Sequence, residues 1–302
     1  MLNRTITTQN WTLASVALTD AYTDFYLSRQ AMRCTTGTLT FYTYTAGKFV
    51  TWLEGQCVNK PAEVTARHVR AYLAKLIGEN KASSTVHDHA RAVRTLLRFW
   101  FAEKYLPEPV IFKMPRVDKK RLPVLSAEEL KRVLAVCNVK EKAVILLLVD
   151  SGIRRQEACN LNWSDLQMTN GLIRIVKGKG MKDRSVVVGV ATRRALLSYR
   201  RTLPTDTVPL FVSQRGGRLT GNGLRELLLR LSIKTGIKFS AHALRRTFVI
   251  LSLRAGMGEL HLMAMLGHSD LIMVGRYAQM VDDDILQAHK DFSPIDNLAR
   301  LK

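Results

Sequence analysis

The sequence predicts a mainly α-helical protein with one small β-sheet, arranged in two parts. Residues 12–106 contain four segments whose apolar positions recur at helical spacing. The second half continues with short capped helices. Only Leu172 to Val188 groups β-branched residues around a glycine-bearing turn, so a single hairpin is expected. With 302 residues, 47% of them hydrophobic, the chain is long enough to bury two cores.

In the first part, helix one runs roughly from Leu13 to Ser28 and turns Val16 and Phe25 inward. Helix two starts after Gly37, with Thr38 as its cap, and carries Leu39, Tyr42, Phe49, Val50, Trp52 and Leu53. Helix three begins at Thr65. Its apolar face is Val69, Tyr72, Leu73, Leu76 and Ile77, and Gly78 and Asn80 stop it. Helix four follows Ser83-Ser84 and buries Val86, Val93, Leu96, Leu97 and Trp100. The same helix carries Arg91, Arg94 and Arg98 at i, i+3 and i+7. This is either a solvated basic face or a surface laid against a DNA groove.

Met114 to Pro123 reads as a linker, bracketed by prolines and carrying Lys119, Lys120 and Arg121. The expected division is therefore 1–115, a linker at 116–124, and 125–302. Ser126-Ala127-Glu128-Glu129 is a capping box that opens the second part. Two helices follow, Leu130 to Val136 and Ala143 to Val149, the second ending at Ser151-Gly152. Arg154 then stands beside the start of another helix, where backbone N–H groups favour an anion, and Glu157 is placed to brace it or cap the turn. The hairpin pairs Leu172 to Lys177 with Arg184 to Val188, and Lys179 lies in its glycine-flanked turn. That turn lacks the spacing of a nucleotide-binding phosphate loop. Helices near Thr192 to Leu203 and Thr220 to Thr235 follow. His242 and Arg245, three apart at a helix start, face the same way. Leu260 to Leu266 packs, Gly267-His268 ends it, and Ser269 or Asp270 caps a helix delivering Tyr277.

A formal charge of +21 asks for a polyanionic partner, with nucleic acid ahead of a membrane surface. Residues 1–118 carry a net +6 and residues 119–302 a net +15, so both parts are fitted to one polyanion, as in a clamp. No apolar run approaches membrane-spanning length, and the N-terminus lacks an apolar signal core. The cysteines at 34, 57, 137 and 159 form no C-x-x-C pair. Buried thiols in a reducing cytoplasmic setting, nucleoid-associated in a bacterium, are expected.

The order Arg154, Lys179, His242-x-x-Arg245, His268, Tyr277 resembles the tyrosine recombinase family, also called phage-type integrases. Ser151-Gly152-Ile153-Arg154 with Glu157 resembles the family's T-G-L-R-x-x-E box, and His242-Ala243-Leu244-Arg245 its H-x-L-R box. Gly178-Lys179-Gly180 followed by Lys182 and Arg184 resembles its hairpin segment. Leu266-Gly267-His268 with Tyr277 resembles its L-G-H…Y box. The likeness covers essentially the whole chain, the first hundred residues resembling a helical, SAM-like core-binding domain ahead of a mixed α/β catalytic domain. Arg246, where many relatives have a second histidine, is a departure, as is Gly275-Arg276 ahead of the tyrosine.

The resemblance implies a C-shaped clamp on double-stranded DNA, with type IB cutting and rejoining through a 3′-phosphotyrosyl link and a Holliday junction. Arg154 and Arg245 would stabilise the pentacoordinate phosphorus, His242 would take the proton of Tyr277, Lys179 would protonate the leaving 5′-oxygen, and His268 would hydrogen-bond a phosphate oxygen. Arg91, Arg94, Arg98, Lys119, Lys120, Arg121, Lys182 and Arg184 are the expected DNA contacts. No cofactor or metal is expected, and the run Asp282-Asp283-Asp284 reads as solvated. Inverted core half-sites, a homotetramer joined by C-terminal tail exchange, and compatibility with accessory proteins follow from the same resemblance. The first domain starting almost at Met1 suggests no extra arm-binding domain. Two other readings are a type IB topoisomerase-like nicking-closing enzyme and a non-catalytic DNA-binding regulator. The regulator would show a lost catalytic residue, and none is lost.

Overall fold

The computed structural model describes residues 16–118, 123–176 and 183–267. The chain divides into two compact units, Met1–Lys120 and Arg121–Lys302, each with its own core.

The first unit is all-helical. Helix α1 (Leu18–Ala31) buries Leu18, Ala21 and Phe25. It starts at Leu18 rather than at Leu13; residues 13–15 lie outside the described set, and Val16 and Ala17 are extended or irregular. Helix α2 (Thr36–Tyr42) is capped by Thr35, whose hydroxyl accepts from the Thr38 backbone N–H, so the expected cap at Thr38 is shifted by three residues. A π-turn at Thr43–Gly47 leads into α3 (Lys48–Glu54), which makes the expected uninterrupted helix a composite one. The threonines account for part of this. Thr40, Thr43 and Thr45 each donate to the carbonyl four residues back, a habit that loosens the helical ladder.

Helix α4 (Ala66–Gly78) buries Val69, Tyr72, Leu73 and Leu76 but leaves Ile77 61% exposed, so Ile77 is not on the inner face. Asn80 completes the stop with a left-handed φ of 55°. Helix α5 (Ser83–Ala102) buries all five expected apolar residues. Trp100 is fully buried, and its indole N–H donates to the Ala21 carbonyl at 3.0 Å, which satisfies the one polar group of a large apolar side chain. His89 is also buried and bonds the Tyr72 hydroxyl at 2.9 Å, so it is a satisfied core histidine. The four cysteines are free. Only Cys159 is buried, and Cys57 is exposed, against the expectation that all are core thiols.

In the second unit, α6 (Ala127–Ala135) opens on the expected capping box. Ser126 Oγ accepts from Glu129 N at 3.1 Å, and Glu129 Oε2 accepts from Ser126 N at 2.9 Å. Helix α7 (Val139–Ser151) begins earlier than expected because Asn138 and Glu141 form a second capping box. Gly152 ends it with φ +60°, and a Cβ there would lie 2.3 Å from the Phe248 ring. Both the left-handed backbone and the contact require glycine. Helix α8 (Arg155–Asn160) is six residues long. Strands β1 (Leu172–Ile175) and β2 (Arg184–Val187) pair antiparallel, from Leu172↔Val187 to Ile175↔Arg184. Isolated bridges Asn162↔Pro209, Leu166↔Ile173 and Val212↔Arg218 brace the flanking loops.

Helix α9 (Val190–Arg200) is capped from outside its own segment: Asp150 of α7 accepts from Gly189 N at 2.7 Å and from the Thr192 hydroxyl at 2.6 Å. Helix α10 (Gly221–Thr235) follows a Thr220 cap. Helix α11 (Ala241–Arg254) is buried from Ala243 to Ile250, and α12 (Glu259–Leu266) packs Leu262 and Leu266 against Phe248 and Val249. Among the described residues no helix is long and apolar enough to cross a membrane.

Candidate active site

Three segments far apart in sequence meet at the end of α7. The Gly152 turn aims the chain so that Arg154 becomes the residue capping α8, and Glu157 closes that turn twice. Its Oε2 accepts from the Arg154 backbone N–H at 2.7 Å and its Oε1 accepts from Arg154 Nη1 at 2.9 Å. Both expected roles of Glu157, brace and cap, are met by one side chain. The expected helix-end field is weak, however, because α8 is short and Glu157 places a carboxylate in its first turn. The positive charge at this turn therefore comes from guanidinium groups.

Arg245 reaches the same turn from α11. It is 5% exposed; its Nη1 donates to the Gly152 carbonyl and its Nη2 to the Leu266 carbonyl at 2.8 Å. Arg245 thus ties the turn ahead of Arg154 to the last residue of α12. His242, one turn earlier on α11, lines with Arg154 a cavity of about 470 Å³. Partial desolvation, then the positive charges of Arg246, Arg245, Arg155 and Arg154, lower the His242 pKa below its ordinary value. The imidazole is therefore neutral near pH 7 and able to accept a proton.

The described residues thus bring Arg154, His242 and Arg245 together. Lys179, His268 and Tyr277 lie outside them, as do Lys119, Lys120, Arg121, Lys182 and the run Asp282-Asp283-Asp284. Arg155 and Arg225, which no motif in the sequence marks, line the same cavity. Arg155 had a signal in its adjacency to Arg154, whereas Arg225 sits in an ordinary basic helix with none. Arg246, the departure from the H-x-L-R pattern, is 9% exposed. Its Nε and Nη2 donate to the Pro123 carbonyl at 3.1 and 3.0 Å, fastening the start of the second unit to α11.

The expected DNA contacts divide. Arg91 is exposed, pairs with Asp88 at 3.1 Å and stands 5.3 Å from the Phe41 ring, and Arg98 is exposed. Arg94 is half-buried, donates to the Phe112 carbonyl at 3.1 Å and stacks over the Phe112 ring, so it does not share the open face with the other two. Arg184 is a correction. Its side chain is 9% exposed and grips Glu157 with two N–H groups, at 2.8 and 2.7 Å. Burial raises the Glu157 pKa, but the Arg184 and Arg154 hydrogen bonds and charge outweigh it and bring the value down to about 2.

The phage integrase family profile matches residues 123–283, more than half of the chain, and includes Arg154, Glu157, Arg184, His242 and Arg245. The chain belongs to the phage integrase family. The profile of the phage integrase N-terminal SAM-like domain matches residues 22–106, from within α1 to just past the end of α5. Tyrosine recombinase XerC of Myxococcus xanthus is 30% identical over 245 residues, covering 75% of this chain and 81% of that protein. Tyrosine recombinase XerA of Thermococcus onnurineus is 28% identical over 267 residues, covering 86% and 91%. Among solved structures, a XerA recombinase matches at 26% identity with a TM-score of 0.53, covering 91% of this chain and 98% of that one. The Tn1549 transposon integrase in complex with circular intermediate DNA matches at 18% identity with a TM-score of 0.73, covering 87% and 95%, a likeness of fold. This integrase is therefore an enzyme, a tyrosine-class site-specific recombinase of the mainly helical two-part type. The topoisomerase-like and regulator readings are not favoured.

Proposed function

We propose that this chain cuts and rejoins double-stranded DNA at inverted core half-sites, with Tyr277 as the nucleophile. The Tyr277 oxygen attacks phosphorus as its proton passes to neutral His242. The bond from phosphorus to the 5′-oxygen breaks, and that oxygen takes a proton from Lys179. A 3′-phosphotyrosyl link and a free 5′-hydroxyl result. Arg154 and Arg245 offset the charge added in the pentacoordinate state, and His268 hydrogen-bonds a phosphate oxygen. Attack by the 5′-hydroxyl of a second duplex reverses these steps and yields a Holliday junction. The observation that carries this reading is the pair of arginines at one turn, with a neutral histidine beside them.

In this reading residues 1–115 form the core-binding domain, 116–124 the linker and 125–302 the catalytic domain with its tail. Arg91 and Arg98 are the first unit's phosphate contacts, joined by Lys119, Lys120, Arg121 and Lys182. Exchanging two duplexes takes four nucleophiles, so the active assembly is a homotetramer on DNA linked by exchange of the tail beyond Tyr277, with accessory proteins compatible. The setting is the cytoplasm.

Two consequences are measurable. A plasmid bearing two copies of a site selected from random-sequence DNA should yield strand-exchanged products; relaxation of supercoils without exchange would point instead to a nicking-closing enzyme. The pH profile of cleavage under DNA-limiting conditions reports the free enzyme. Because the His242 pKa is lowered, its acid limb should have a midpoint below His242's ordinary value of about 6.5 and should disappear in His242→Gln. A midpoint above that value would contradict the assignment of the base.

A further inference from the structure

We infer that Arg184 is a positioning residue that holds Arg154, the root of the hairpin and the end of α12 in one frame. The inference rests on the function proposed above.

Three elements converge on the Arg184 side chain. Its Nη1 and Nη2 span both oxygens of Glu157, at 2.8 and 2.7 Å, and its Nε donates to the Met265 carbonyl at 2.9 Å. The same two Glu157 oxygens hold the side chain and backbone N–H of Arg154. Arg184 is also the first paired residue of β2, opposite Ile175, the last of β1, where the connection bearing Lys179 begins and ends. On the α12 side its stem is pressed under the turn: a Cβ at Gly267, where φ is +61°, would lie 2.8 Å from Arg184 Cδ.

The donors are distributed to match this role. Three Arg184 N–H groups are committed inside the fold and its side chain is 9% exposed, which leaves little to offer a DNA phosphate. Arg154, in contrast, lines the cavity and donates to Glu157 through Nη1. Glu157 relays the constraint: it fixes where Arg154 points, and Arg184 fixes Glu157. A lysine cannot substitute, because a single ammonium cannot grip both carboxylate oxygens and the Met265 carbonyl together.

The test is Arg184→Lys in the full chain, assayed for DNA binding and for single-turnover formation of the covalent adduct. Affinity should stay within about threefold of the unmodified chain, and adduct formation should fall at least ~30-fold, as expected for a group acting on the bound state only. A second substrate carries a methylphosphonate at the scissile position. This group is uncharged, so Arg154 has less charge to oppose. On it the variant should come within about threefold of the unmodified chain on the same substrate. An equal deficit on both substrates would make Arg184 merely structural and overturn the inference. Lost affinity with normal cleavage of bound DNA would make it a DNA contact and also overturn it. Should Arg184→Lys not fold, the pair Arg184→Gln with Glu157→Gln removes both buried charges together, and the same deficit and recovery are expected of it. If the unmodified chain forms no Tyr277-dependent adduct on an ordinary phosphodiester, the functional reading fails instead.

Discussion

Tyr277→Phe is expected to bind its DNA site with affinity within about twofold of the unmodified chain and to form no covalent adduct at all. The two properties separate because the substitution removes one oxygen and leaves the basic surface intact. A gel shift should persist under native conditions, and no protein–DNA band should survive denaturation. Four of the described tyrosines are poor substitutes for the nucleophile. Burial raises the pKa of Tyr22, Tyr72 and Tyr199. Tyr105 donates to Asp24 at 2.6 Å, and that hydrogen bond, with partial desolvation, pushes its pKa up to about 12. These four are held further from losing a proton at neutral pH than an ordinary tyrosine.

Arg245→Ala should damage stability and catalysis together. Removing its guanidinium strips a donor from each of two inward carbonyls, Gly152 and Leu266, and leaves a cavity beneath α11. Each unsatisfied acceptor costs about 1–3 kcal/mol, so urea denaturation should show a loss of roughly 3 kcal/mol or more. Adduct formation by the fraction that remains folded should fall by ~10³-fold or more, the scale associated with losing a charge-stabilising donor. Arg245→Lys separates the effects. It keeps the charge, holds one carbonyl instead of two, and should recover most of the stability while cleavage stays at least ~10²-fold down. Recovery of both together would mean that the geometry of the fork is irrelevant and that only its charge matters.

Much of the fold was legible because local chemistry decides it. The Ser126 capping box, the glycine ending α7, the hairpin and the apolar face of α5 all stand where sequence places them. The gaps have identifiable causes. Asp150 caps α9 from another helix, and a contact 42 residues away leaves no mark on local patterning. The π-turn owes part of its formation to threonine side chains competing with the backbone, which apolar periodicity does not register. Ile77 faces out although it follows Leu76, because an extra apolar residue at the end of a helix need not lie on its buried arc.

The site divides in the same way. Residue type and order single out Arg154, His242 and Arg245, and the structure brings all three together. By sequence Arg184 and Arg94 are surface cations, since nothing in a sequence shows that a guanidinium will be consumed by a carboxylate or a carbonyl from another element. A basic residue near a catalytic box is equally compatible with phosphate contact and with internal bracing. Only the location of its partner tells them apart.

The most direct test of the account is the chemical identity of the DNA-linked residue. A site with sulfur in place of the bridging 5′-oxygen traps the adduct, since the departing thiolate reseals poorly. Digestion with nuclease and trypsin followed by mass spectrometry should then find the nucleotide remnant on the peptide that follows Arg276, on Tyr277, joined through a 3′-phosphate. A remnant on any other residue, or one joined through a 5′-phosphate, would contradict the account at its centre.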